Sequence, residues 1–189
     1  TQWSTLFPYT TLFRSRFVLA TEAAHLLPPT IRSRCQSHAL RWPEEAQALA
    51  WLRGVTQGDE ASARVWWSAA GGRPDHALAW ARVGLDARTW QALPRAIAQG
   101  EWSAMADWPV ARQLEVQQKL CHDLMAVGSG ARPRFFATEQ LPRAPEMAAL
   151  ARWSRELMQA ARTVEHPFSA GLMQEAWAVR ARAALAATA

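Results

Sequence analysis

From Pro43 onward the apolar residues recur at helical spacing, and the chain reads as a succession of helices. Pro43-Glu44-Glu45 starts the first, with proline in the opening turn and acids placed favourably for the helix dipole. It runs to about Arg53 and stops at Gly54. Asp59-Glu60 opens a second, ending near Gly71-Gly72, and Pro74-Asp75 opens a third, closed by Gly84. These three predict a small bundle over residues 43–85. Asp86 to Gln99 is the next helix, with a kink expected at Pro94, and Pro109 opens a long one to about Val127. Along that long helix Val116, Leu120, Leu124 and Val127 form an apolar row. Gly128 to Pro133 reads as a linker. Beyond it, Leu150, Trp153, Leu157 and Ala161 make one helical stripe, and Leu172, Ala176, Val179 and Ala183 another, each expected to face a core.

Ahead of Pro43 the pattern differs. Phe17-Val18-Leu19-Ala20 is a short apolar run of the kind found in a fully buried strand, and Ser37-His38-Ala39-Leu40 reads as a second short strand closed by Trp42-Pro43. Between them Pro29 to Ser33 predicts a short helix with proline in its first turn. The first strand has no sheet to pair with in this chain, so residues 17–40 are expected to be poorly packed while the region after Pro43 folds. Thr5 to Ser15 stands apart again, with the only Tyr and three Thr in a chain otherwise rich in Ala, Arg and Trp. It looks like the conceptual translation of a sequencing adaptor, so residues 1–15 are set aside and the readable protein is expected to start at Arg16, with more of it upstream.

Composition sharpens this picture. The 189 residues suit one ordinary domain or two small ones, and half are hydrophobic, mostly Ala, Leu and Trp. Good helix formers dominate and β-branched residues are sparse, so the fold class is mainly α. The net charge is +5, almost all from Arg, because Lys119 is the only lysine. That balance is compatible with nucleic acid nearby, although no basic run stands out and solvated helix faces account for it. Cys35 and Cys121 lie far apart without a metal-ligand spacing, which argues against a disulfide framework or zinc site. No apolar run approaches the roughly 20 residues of a membrane span, so no membrane partner is expected and a cytoplasmic protein is.

Candidate chemistry thins out quickly. Cys121-His122-Asp123 invites a catalytic-triad reading, but consecutive helical residues point about 100° apart and are not expected to hydrogen-bond in series. Trp51, Trp66, Trp67 and Trp80 could stack bases, yet their setting among Ala and Leu favours core packing. No GxxxxGK[ST] phosphate loop is present in this sequence.

One segment carries more. Phe17-Val18-Leu19-Ala20-Thr21, Leu26-Leu27 and Thr30-Ile31-Arg32-Ser33-Arg34-Cys35-Gln36 together resemble the clamp-loader branch of the AAA+ ATPases. In that family a buried strand ends in a polar sensor-1 residue, and a Ser-Arg-Cys triplet follows on a short helix. More thinly, His166 to Ala176 looks like the last collar helix of the family's stator subunits, which commonly have Asn where Ser169 stands. The resemblance implies the C-terminal stub of an AAA+ α/β domain over 16–42, a helical lid over 43–85 and a helical collar for oligomerisation over 86–189. It implies that Arg34, flanked by Ser33 and Cys35, is an arginine finger acting in trans, while Thr21 faces this subunit's own nucleotide pocket. An arginine can serve a neighbour in this way because its permanently charged guanidinium forks onto phosphate oxygens. Cys35 is expected to pack as a small buried hydrophobe. Aligning on Ala77-Leu78 puts Asp75 at the sensor-2 position, an anion where a phosphate-binding cation is wanted, with Arg73 close by. That favours a non-hydrolysing stator subunit, with no cofactor bound by this chain, ATP and Mg on the neighbouring subunit, and no catalysis of its own. The implied partners are the gamma/tau and delta loader subunits, the sliding clamp, and primed DNA through the complex. Two alternatives stand beside it: a fragment of the gamma/tau ATPase subunit, and a free-standing helical interaction module.

Overall fold

The computed structural model describes residues 17–41, 43–164 and 170–186. The adaptor-like residues 1–15, Arg16, Trp42 and the stretch from His166 to Ser169 lie outside the described residues. The chain divides into two units, Thr1–Arg41 and Trp42–Ala189.

In the first unit, α1 (Pro29–Arg32) forms as its proline predicts, preceded by a 3-10 turn over Ala24–Leu26. The two expected strands do not form: residues 17–20 and 37–40 have no regular structure, and no strand occurs among the described residues. Phe17, Val18 and Leu40 are 85%, 91% and 88% exposed, and nothing from 17 to 41 is buried. A strand needs a neighbour to take its backbone N–H and C=O groups, and none is present among the described residues.

The second unit is helical: α2 (Glu45–Thr56), α3 (Glu60–Ala69), α4 (Pro74–Arg82), α5 (Ala87–Gln99), α6 (Val110–Gly128), α7 (Met147–Ala161) and α8 (Ala170–Ala186). Asp59 caps α3 by accepting from the Ser62 N–H at 2.8 Å, and Asp86 caps α5 by accepting from the Thr89 N–H at 2.8 Å. The break expected at Gly54 does not occur. α2 runs through Gly54, whose missing Cβ would face open space, and ends where Gln57 turns left-handed at φ 55°. α5 continues through Pro94, which is buried there.

α6 is the central element, packed against α7 and α8, while α2, α3 and α4 pack on one another. A single core runs from Leu49 and Leu52 through Trp80, Trp90 and Leu120 to Trp153 and Ala184. The boundary expected at residues 85/86 therefore falls within one unit with a continuous core. Tryptophans knit it: Trp80 meets Trp90 and Trp108 edge-on at 5.7 and 5.5 Å, and Trp90 stacks on Phe136 at 4.4 Å. Trp66, Trp67 and Trp80 pack as expected, but Trp51 stays 44% exposed. On α7 the stripe holds for Leu150, Trp153 and Leu157 but not for Ala161, which is exposed. On α8 it is in the wrong register. Leu172 and Val179 are 68% and 63% exposed, and Trp177, Ala178, Ala181 and Ala184 face inward instead. The large indole sets that rotation, because burying Trp177 removes more apolar surface from water than burying Leu172 or Val179.

Candidate functional site

Ser33, Arg34 and Cys35 follow α1 directly. The Arg34 and Cys35 N–H groups donate to the Ile31 carbonyl at 3.0 and 3.1 Å, so the triplet finishes the helical turn, and the Ser33 hydroxyl donates to the Thr30 carbonyl at 3.3 Å. All three side chains are exposed, Cys35 included, so the expected burial of that thiol is not found. Its small apolar side chain has no core to enter in this unit. Thr21 is also exposed, and its hydroxyl accepts from the Ala23 N–H at 3.1 Å, closing a local turn. Asp75 belongs to the second unit, in the first turn of α4, with its carboxylate 3.7 Å from His76.

A denser polar centre lies along α6. Asp123 is fully buried, and its carboxylate accepts from three successive backbone N–H groups, those of Arg134, Phe135 and Phe136, each at 2.8 Å. His122 adds its Nδ1, 2.9 Å from Asp123 Oδ1. These donors replace the water that a buried carboxylate gives up. The pairing of His122 with Asp123 corrects the expectation that consecutive residues here would not hydrogen-bond: at the edge of a buried face the two side chains bend toward each other. No relay results. Cys121 points the other way, its thiol donating to the Leu150 carbonyl at 3.5 Å, and burial pushes its pKa up to about 12, far from a nucleophilic thiolate.

One turn back, Lys119 is buried and ion-paired with Glu115, which Arg112 also grips. Its ammonium lies 4.8 Å from the Trp80 ring centre and 5.4 Å from that of Phe135. Burial holds its pKa below the usual lysine value, with Glu115 pulling the other way. Gln113, also buried, donates its amide to the Met105 and Trp108 carbonyls, both at 2.9 Å, and so closes the 3-10 turn Ser103–Met105 onto α6. These groups hold backbone together; none lines an open cavity. The residue order brings up Asp123 only within the rejected Cys121-His122-Asp123 triad and does not bring up Gln113; a polar residue on an otherwise inward row is the one hint of their structural role.

Thr21 and Arg34 thus lie in the first unit and Asp75 in the second. Among the described residues no group of three or more His, Cys, Asp or Glu is placed to hold a metal ion, and no helix is long and apolar enough to cross a membrane. Comparison with protein-family models, curated proteins and solved structures finds no match.

Proposed function

We propose that the chain is part of a non-hydrolysing stator subunit of a bacterial clamp loader, the delta-prime subunit of DNA polymerase III, and that it lends Arg34 to the ATP site of a neighbouring subunit. The observation that carries this reading is Ser33-Arg34-Cys35, exposed directly behind the short proline-initiated helix Pro29–Arg32 and twelve residues beyond Thr21. Residues 16–42 would then complete an AAA+ α/β domain whose sheet lies elsewhere. The unsatisfied apolar run Phe17–Leu19 is what such a missing sheet would cover. Asp75 in the opening turn of α4 supports a subunit that does not hydrolyse ATP itself, since a carboxylate there repels a phosphate. The helices after Pro43 would supply lid and collar, with gamma/tau, delta and the sliding clamp as partners and primed DNA reached through the complex.

Reconstitution tests this. The full-length subunit carrying Arg34→Ala is assembled with gamma/tau, delta, clamp and primed DNA, and ATP turnover is followed. An arginine finger contributes about a thousandfold or more at the site it serves. Hydrolysis at the facing site should therefore vanish while the complex still assembles. Unchanged turnover would refute the role of Arg34, and failure of the wild-type subunit to join the loader would refute the family reading.

A further inference from the structure

Two of the polar atoms buried without a hydrogen-bond partner among the described residues sit on side chains that line one slot. They are Oε1 of Gln117, an acceptor, and Nε1 of Trp153, a donor, on residues 0% and 2% exposed. The slot lies where α6, α7 and α8 meet, and Glu156 and Leu157 of α7 with Trp177 and Arg180 of α8 complete its wall. It is too narrow to admit a water molecule, so with α8 in place neither atom recovers the partner it had in solvent.

α8 covers that slot on modest terms. Beyond Trp177 its buried residues are Ala178, Ala181 and Ala184, which remove less apolar surface from water than the Leu172 and Val179 it turns outward would. Its ion pair to α7, Arg180 Nε to Glu156 Oε2, is 4.0 Å long between two exposed side chains and contributes little.

We propose that α8 is a strap that lifts from α6 and α7 while the rest of the second unit stays folded. Lifting lets water reach Gln117 and Trp153, so the cost of leaving both atoms unpaired is relieved in the open state and offsets part of what burying Trp177 contributes. The two states present different chemistry at one place: a charged rim of Glu156 and Arg180 when closed, the apolar faces of Trp153 and Leu157 when open. The inference does not rest on the clamp-loader reading, and its test uses no loader subunit.

Amide hydrogen exchange of the whole chain, resolved by residue, tests this. In the wild type the α8 amides should exchange at least about tenfold faster than those of α6, which exchange only when the core opens. Trp177→Ala removes the indole that α8 buries, and should speed α8 exchange by about a hundredfold or more while α3 and α4 keep their protection. Gln117→Met fills the same space without an unpaired acceptor, and should slow α8 exchange about fivefold. Equal protection of α8 and α6 in the wild type would overturn the proposal, because the strap would then open only with the whole unit. So would a loss of protection in Trp177→Ala that spreads evenly over the second unit, or an α8 rate that Gln117→Met leaves unchanged.

Discussion

Replacing Asp123 with Asn changes little in shape and removes the charge that three backbone N–H groups converge on. Oδ1 accepts from Arg134 and His122, and Oδ2 from Phe135 and Phe136. An asparagine keeps one oxygen. Turned toward Phe135 and Phe136, it sets its own NH2 against the Arg134 N–H, losing one charge-assisted bond of roughly 1.5–3 kcal/mol. The two remaining bonds fall to neutral strength, about half of what they were. The sum is a loss of about 3–6 kcal/mol, a large part of the stability of a domain this size. At about 2–4 °C per kcal/mol, the melting temperature should drop by roughly 6–24 °C. Urea unfolding by circular dichroism measures the loss, and hydrogen exchange locates it: the amides of Arg134, Phe135 and Phe136 should lose protection first. A cost under about 1 kcal/mol would refute the reasoning, as would exchange spread evenly over the second unit, because either would mean the carboxylate does not hold this loop.

Other outcomes follow from the same geometry. Gln117 is fully buried with its Oε1 lacking a hydrogen-bond partner, so Gln117→Met should stabilise by about 1 kcal/mol and shift the urea midpoint upward. Trp66→Phe loses the bond from Nε1 to the Leu85 carbonyl at 2.7 Å and should cost about 1–2 kcal/mol by the same measurement. Asp86→Ala removes the cap of α5 at about 1 kcal/mol. The Thr89 hydroxyl and N–H hold the Asp86 carboxyl below its ordinary value of 3.8, so the contribution of this cap is complete above that pH and disappears as the pH falls through the lowered value. Lys119 titrates with the opposite consequence. Its folded-state pKa lies below the ordinary 10.5, so between the two values the unfolded chain holds more protons and stability rises with pH. As the pH rises toward 10.5 the wild type should gain stability relative to Lys119→Met, and parallel profiles would show that burial of the ammonium carries no cost.

The helical run from Glu45 to Ala161 was legible because its caps and stripes are local: Asp59 and Asp86 precede their helices, and Leu150, Trp153 and Leu157 share one face. α8 was not legible in register, since alanine lies on every side of it and several stripes can be drawn; only packing reveals that Trp177 decides. The strands at Phe17–Ala20 and Ser37–Leu40 failed for the opposite reason, because strand formation depends on a partner and apolar content alone does not provide one. Ser33-Arg34-Cys35 stands out in the residue order, whereas the clasp around Asp123 joins positions eleven to thirteen residues apart through backbone N–H groups that carry no sequence signature.

The segment after Gly130 has the composition of a spacer and behaves as a splice between helices. Arg134 Nη2 donates to the Gly71 carbonyl at 2.6 Å, the Phe135 carbonyl accepts from Trp90 Nε1, and Phe136 stacks on Trp90, while the Asp123 carboxylate binds all three amides. Gly71 sits at φ +61° and has no room for a side chain, because a Cβ there would lie 2.7 Å from the Phe135 ring. The α3–α4 turn, α5 and α6 are therefore registered to one another by three consecutive residues. Anyone splitting, permuting or tagging this chain should treat Arg134 to Phe136 as fixed in length, and place the new ends before Ala131.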